Sequence, residues 1–178
     1  AFGGLKFYEF MPNGFVNVEP VIMKPDSYAK LENNLLMFYL GGTHSASAIL
    51  KEQSKNVQSV DKAAIQRQMC DIARKLKEEL QNNQVDAMGE LLHENWMLKR
   101  SLAAGITNPL IDETYEVAMK AGATGGKLLG AGGAGFMLFY VPEEKHDAVR
   151  NALCNLREMD FEIDNSGATI VMTDRDFV

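Results

Sequence analysis

The stretch KLLGAGGAGFMLFYV, residues 127–141, joins a glycine-rich turn to a run of strand-forming residues. Residues 130–135, GAGGAG, fit the G-x-G-x-x-G spacing of a dinucleotide-binding turn. Such a turn needs a helix directly after it, because the pyrophosphate rests on the helix N-terminus. The following residues, FMLFYV, are aromatic and apolar and predict a strand instead. The sequence therefore predicts a glycine loop between two strands, at Leu128–Leu129 and Phe136–Val141.

Four glycines in six residues give this loop more conformational freedom than an ordinary turn needs. Glycine adopts positive φ without steric cost, but each one raises the entropy lost on folding. A run of backbone N–H groups that face one point can bind an anion without any following helix. The residues alone favour a loop close to a phosphate. The alternative is a tight connection that only lets strand and helix approach closely.

Strand patterns open the chain, and helical patterns dominate its middle. Leu5–Phe10 and Phe15–Met23 flank the turn MPNG and predict a β-hairpin. A helix start at Pro25 and a strand at Leu35–Leu40 follow. Helices are predicted at Ser45–Gln53, Val85–Leu102, Asn108–Ala121 and Glu143–Met159, and a further helix is predicted to start with Asp61 as its cap. Closing strands are predicted at Phe161–Ile163 and Ala168–Met172. This order favours an α+β fold over a doubly wound α/β fold.

Charge and hydropathy exclude several classes of function. The 178 residues contain 18 basic and 24 acidic side chains, a net charge of -6, which argues against nucleic acid as the main partner. The longest apolar runs are far below the roughly 18 residues that a membrane span needs. No signal-peptide pattern opens the chain. Cys70 and Cys154 lie in helical patterns beside apolar residues and predict buried, reduced thiols in a cytoplasmic protein.

Other motifs fail on single positions. A Walker-type phosphate loop ending at Lys127 would need a glycine at Ala121 and a serine or threonine at Leu128. A zinc-protease motif at His93-Glu94 would need a second histidine at Met97. The three histidines lie far apart and give no metal-site spacing, so no metal site is predicted in this chain.

The stretch GATGGKLLGAGGAGFMLFY, residues 122–140, resembles the C-terminal glycine-rich motif of the GHMP kinase superfamily. AFGGLKFYEF, FYLGGTHSASAILKEQ and LLHENWMLKRSLAAGITNPLIDETYEVAMKAGA resemble its D-glycero-D-manno-heptose-phosphate kinases. The similarity runs from Ala1 to about Val171. Ala134 stands where that branch usually has a further glycine, and His44 stands where it often has arginine. A neutral histidine lacks the guanidinium group with which arginine could bind an anionic sugar.

The resemblance implies an antiparallel sheet with packed helices, of the GHMP kinase C-terminal type with ferredoxin-like β-α-β elements. We expect residues 1–42 to be a β-rich segment that belongs to, or bridges to, a preceding N-terminal domain, with the β-hairpin left over from it. Residues 43–178 would form the C-terminal domain. The ATP loop and the catalytic carboxylate of the superfamily lie upstream, so this segment is expected to contain no catalytic residue and to be inactive alone.

The implied function is transfer of the γ-phosphoryl of ATP, with Mg²⁺, to a heptose phosphate, at the anomeric hydroxyl. ATP and Mg²⁺ would be bound mainly by the N-terminal domain, which is the expected partner besides the sugar phosphate. The expected phosphate-site loop consists of Lys127, Gly130, Ala131, Gly132, Gly133, Ala134 and Gly135. The substrate-binding candidates are Thr43, His44, Thr107 and Asp112, although Thr107 and Asp112 are also explained as plain helix capping.

Two alternatives stay open at this point. The first is a non-catalytic α+β module that binds a small molecule and whose glycine loop merely closes a sheet. The second is another GHMP kinase, such as a galactokinase-like enzyme. A Gly-Leu-Gly-Ser-Ser-type loop in the preceding sequence would favour a kinase over the binding module.

Overall fold

The computed structural model describes residues 2–42, 60–103, 105–130 and 133–170. They fall into two compact units, one from the described residues within 1–22 and 162–178 and one from the described residues within Met23–Phe161. The predicted boundary at residue 42 does not coincide with this division. As a statement about the domains of a longer protein it remains a prediction, as does the origin of the hairpin. The predicted helix at Ser45–Gln53 lies outside the described residues.

The smaller unit contains the predicted hairpin. Strands β1 (Lys6–Phe10) and β2 (Val16–Pro20) pair antiparallel, with Phe10 opposite Val16. Gly14 takes φ +85° in the turn, and its N–H donates to the Met11 carbonyl at 3.0 Å. The MPNG sequence therefore forms the turn that its residues predict.

The larger unit contains a four-stranded antiparallel sheet in the order β4-β5-β3-β6. Its strands are β3 (Leu35–Gly41), β4 (Gly125–Leu128), β5 (Gly135–Tyr140) and β6 (Arg157–Glu158). Its helices are α1 (Pro25–Asn33), α2 (Val60–Gln81), α3 (Ala87–Arg100), α4 (Pro109–Ala121) and α5 (His146–Ala152), with a 3-10 turn at Glu143–Lys145. The predicted α+β class and the strands on both sides of the glycine loop are confirmed.

One hydrophobic core joins the sheet to the helices. Phe38 of β3 and Phe139 of β5 pack edge to face with ring centroids 6.3 Å apart, and Tyr115 of α4 lies 5.9 Å from Phe139. Trp96 of α3 is fully buried in the same cluster. The alternation of Met137, Phe139 and Val141 turns these three side chains toward the helices, as the period of a strand requires.

Helix α3 approaches β4 more closely than side chains would permit. A Cβ added to Gly125 would overlap the Gly89 carbonyl group, with the Gly89 carbon 2.7 Å away. A Cβ added to Gly89 would lie 2.8 Å from the Thr124 Cβ. Gly125 is not among the glycines with positive φ, so space and not backbone conformation requires glycine there. The helix thus lies directly on the strand backbone.

The C-terminal part of the larger unit departs from the prediction. The helix predicted to Met159 ends at Ala152, and Arg157 and Glu158 pair with Tyr39 and Phe38 of β3 instead. The Met159 N–H continues this pairing by donating to the Met37 carbonyl at 2.8 Å. The free edge of β3 needs hydrogen-bond partners, and this requirement outweighs the helical pattern.

Three further predictions are wrong in the described residues. No strand forms at 161–163 or 168–170, where the Asp164 carboxylate instead accepts hydrogen bonds from Ser166 and Gly167 and makes a turn. Asp61 lies in the first turn of α2, which begins at Val60, and does not cap it. Cys70 and Cys154 are exposed: Cys70 lies on the solvent-facing side of α2, and Cys154 lies in the turn after α5.

We predict that Gly125→Ala destabilises the fold strongly, because the new methyl group meets helix backbone that cannot rotate away. We expect a loss of about 2–4 kcal/mol in the free energy of unfolding, measured by chemical denaturation. Gly14→Ala is the matched control. Unlike Gly125, Gly14 has a φ that is unfavourable for alanine, but no atom lies within 4 Å of the added Cβ, so the expected loss is about 1 kcal/mol. Equal losses in the two variants would contradict the close approach of α3 and β4.

Candidate functional site

The glycine loop, residues 130–135, connects β4 to β5. Gly130, Gly133 and Gly135 take φ of +87°, +81° and +112°, in the region that favours glycine. Ala134 is not among the described residues with positive φ, so alanine fits its backbone. A strand begins at Gly135, which excludes the dinucleotide-binding turn, as predicted. Ala131 and Gly132 lie outside the described residues.

Three hydrogen bonds hold the glycine loop against the helices. Lys99, in the last turn of α3, donates from Nζ to the Gly130 carbonyl at 2.9 Å. The Gly133 N–H donates to the Ile106 carbonyl at 3.1 Å. Asn108, at the start of α4, donates from Nδ2 to the Gly133 carbonyl at 2.9 Å. The end of α3 therefore holds the loop at Gly130, and the segment that leads into α4 holds it at Gly133.

Two lysines place positive charge beside the glycine loop. Lys127 of β4 and Lys99 are both half-buried, and burial lowers the pKa of each side chain. The charge of Lys127 lowers the pKa of Lys99 further. No carboxylate among the described residues pairs with either lysine. An anion bound here would offset both the desolvation and the mutual repulsion of the two ammonium groups.

The candidates Thr107 and Asp112 contact each other beside the loop. The Thr107 hydroxyl donates to Asp112 Oδ1 at 2.6 Å, and Arg100 Nη2 lies 2.7 Å from the same oxygen. This network joins the end of α3 to the first turn of α4, so it has a structural role whether or not a substrate contacts it. The proposed contact of Thr107 and Asp112 with substrate stays a prediction.

The candidates Thr43 and His44 lie outside the described residues. The residues before them border the glycine loop. Gly41 pairs with Gly135 in the sheet, and a Cβ added to Gly42 would lie 3.1 Å from the Ala134 Cβ. The Gly41-Gly42 end of β3 is therefore a neighbour of the loop.

Three residues at this site were missed by sequence reasoning: Lys99, Arg100 and, in its contact with the loop, Asn108. The signal for the first two was a pair of cations in the last turn of a predicted helix, which the helix dipole alone explains. Asn108 was predicted as the cap of α4, and its Oδ1 does accept from the Ile111 N–H at 3.0 Å. Its second contact joins residues 25 positions apart, which no local pattern encodes.

The described residues contain no group of three or more histidine, cysteine, aspartate or glutamate side chains placed to hold a metal ion. In the same part of the chain, no helix is long and apolar enough to cross a membrane. The site described by these residues is thus a glycine loop with two lysines and an Arg–Asp–Thr network.

Comparison with known proteins gives consistent results. The D-glycero-alpha-D-manno-heptose 7-phosphate kinase of Campylobacter jejuni is 27% identical over 151 residues, 84% of this chain and 44% of that protein. The bifunctional fucokinase/GDP-fucose pyrophosphorylase of Arabidopsis thaliana is 28% identical over 167 residues, 91% of this chain and 16% of that protein. The chain thus spans less than half the length of these curated relatives.

The crystal structure of a D-glycero-D-manno-heptose 1-phosphate kinase from Bacteroides thetaiotaomicron is also similar. It is 26% identical, with a TM-score of 0.59 over 93% of this chain and 44% of that one. Residues 76–159, from the end of α2 to β6 and including the whole glycine loop, match the family model for the C-terminal part of GHMP kinases. The part of the chain that contains the glycine loop is therefore similar to the C-terminal part of GHMP kinases.

Proposed function

We propose that this chain is the C-terminal part of an ATP-dependent sugar kinase. The observation that carries the proposal is the glycine loop beside Lys99 and Lys127, two half-buried cations without a carboxylate partner among the described residues. Phosphoryl transfer depends mainly on positioning and on stabilising charge on the phosphoryl oxygens. Fixed backbone N–H groups and desolvated ammonium groups supply both.

The acceptor in this proposal is a heptose phosphate, phosphorylated at the anomeric hydroxyl. It is supported by the heptose phosphate kinases among the relatives. The fucokinase relative matches this chain equally well, so a fucose-type sugar is the second candidate acceptor. The residues we propose for contact with the sugar are Thr43 and His44, which follow the Gly41-Gly42 end of β3, and the Thr107–Asp112 pair.

ATP and Mg²⁺ are the proposed cofactors. The glycine loop and Lys127 fit the phosphate groups of ATP, because the exposed Gly130 and the half-buried Ala134 lie in the same loop as a lysine-rich edge with no carboxylate partner among the described residues. The described residues offer no carboxylate cluster for Mg²⁺. We therefore assign the metal ligands, the ATP loop and the catalytic carboxylate to an N-terminal domain of the same protein, which acts in the cytoplasm.

The first prediction compares the full-length protein with the 178-residue chain alone. The full-length protein should transfer phosphoryl from ATP to the sugar and release ADP, in a coupled ADP-release assay with heptose 7-phosphate, heptose 1-phosphate, fucose and galactose. The 178-residue chain alone should show no sugar-dependent turnover, because the assigned catalytic groups lie outside it. Turnover by the isolated chain would contradict the division, and no turnover with any sugar by the full-length protein would favour a binding module.

A second prediction concerns Lys127. In the full-length protein, Lys127→Met should lower kcat/KM for ATP about 100-fold, the size of effect seen when one group that stabilises transition-state charge is removed. Lys120→Met is the matched control, since Lys120 is an exposed lysine of α4 whose side chain is 78% accessible. Steady-state kinetics of both variants measures the difference. Unchanged kinetics in Lys127→Met would remove this lysine from the site.

A third prediction is that Lys127→Met raises the melting temperature. Burial lowers the pKa of Lys127 in the folded state, so the protonated lysine costs stability below that pKa. The cost disappears as the pH rises toward the unfolded pKa of about 10.4. The variant should therefore melt above the wild type at pH 7, by about 2–4 °C for each 1 kcal/mol relieved. This gain should shrink as the pH approaches 10. A lower melting temperature at pH 7 would contradict the charge assignment.

A further inference from the structure

The side chain of Asn108 makes two different hydrogen bonds with its two amide atoms. Oδ1 accepts from the Ile111 N–H at 3.0 Å and caps α4. Nδ2 donates to the Gly133 carbonyl at 2.9 Å and holds the glycine loop. Only one orientation of the Asn108 amide satisfies both partners, because the Ile111 N–H needs the amide oxygen and the Gly133 carbonyl needs the NH₂ group. The same side chain therefore starts a helix and fixes a loop.

The contact with Gly133 sets the direction of the next backbone N–H. The described peptide bonds are not cis, and in a trans peptide the carbonyl of one residue and the N–H of the next point in opposite directions. Holding the Gly133 carbonyl against Asn108 therefore turns the Ala134 N–H away from α4. The Gly133 N–H is itself held by the Ile106 carbonyl, so the backbone on both sides of Gly133 is fixed.

The Ala134 N–H makes no hydrogen bond to another described residue. Ala134 is half-buried, whereas Gly133 is buried. A fixed N–H on a half-buried residue of the glycine loop is the kind of donor that binds phosphate oxygens. We infer that Asn108 is a positioning residue, whose Nδ2 orients the Ala134 N–H toward a bound phosphoryl group, separately from its capping role. This inference rests on the proposed phosphate site.

Helix-capping chemistry offers variants that separate the two roles. Asparagine, aspartate and serine cap helices about equally well, whereas alanine does not. Asn108→Asp and Asn108→Ser therefore keep the cap and remove the NH₂ donor, and serine does so without adding charge. Asn108→Ala removes both. A purely structural role would make activity follow melting temperature through the series.

The first readout is kinetic and uses the full-length protein. Asn108→Asp and Asn108→Ser should keep the melting temperature within a few degrees but lower kcat/KM for ATP about 10- to 100-fold, as expected when a binding group is misplaced. Asn108→Ala should lose both activity and melting temperature. Wild-type kinetics in Asn108→Ser would overturn the inference, as would activity losses that only parallel the melting temperatures.

The second readout does not depend on turnover. Tripolyphosphate, titrated into ¹⁵N-labelled full-length protein, should shift the Ala134 amide resonance in a saturable way, and Asn108→Ser should weaken that response. Absence of an Ala134 shift in the wild type would overturn the inference even if the kinase activity is found. A saturable Ala134 shift that Asn108→Ser weakens, in a protein without sugar-dependent turnover, would refute the kinase proposal and support the role of Asn108.

Discussion

The contact of backbone with backbone between Gly89 of α3 and Gly125 of β4 sets the geometry of the site. Lys99 lies ten residues beyond Gly89, about 15 Å along a helix with a rise of 1.5 Å per residue. Gly130 lies five residues beyond Gly125, about 16 Å along an extended chain. The two distances from the contact are nearly equal, so Lys99 and Gly130 lie side by side and Lys99 Nζ donates to the Gly130 carbonyl. A change in the packing of α3 on β4 would separate them.

The positive charges of Lys99 and Lys127 lower the stability of the fold, and packing alone does not explain why they are there. Lys99 and Lys127 are partly desolvated and repel each other, and burial lowers the pKa of both. Methionine in place of Lys127 would avoid this cost while keeping most of the packing. Sites that bind anions commonly show such an arrangement, in which stability is exchanged for function. In the Arg100–Asp112 pair, by contrast, each charge has a partner within the protein, and the pair joins the end of α3 to the first turn of α4.

Sequence reasoning succeeded where the signal was local. The turn at Gly14, the cap and proline at Asn108-Pro109, and the strands around the glycine loop each follow from a few adjacent residues. It failed where residues far apart in the sequence determine the local structure. Arg157 and Glu158 form a strand because the edge of β3 needs partners, although their own pattern is helical. The contacts of Lys99 and Asn108 with the loop join residues 31 and 25 positions apart, so the site could be predicted as a loop but not as an assembled set.

The most direct test is a crystal structure of the full-length protein with a non-hydrolysable ATP analogue and Mg²⁺. The proposal predicts a phosphate oxygen within hydrogen-bond distance, about 2.7–3.2 Å, of Lys127 Nζ or of a backbone N–H in residues 130–135. A nucleotide bound with its phosphates elsewhere, and with the glycine loop contacting only protein, would contradict it.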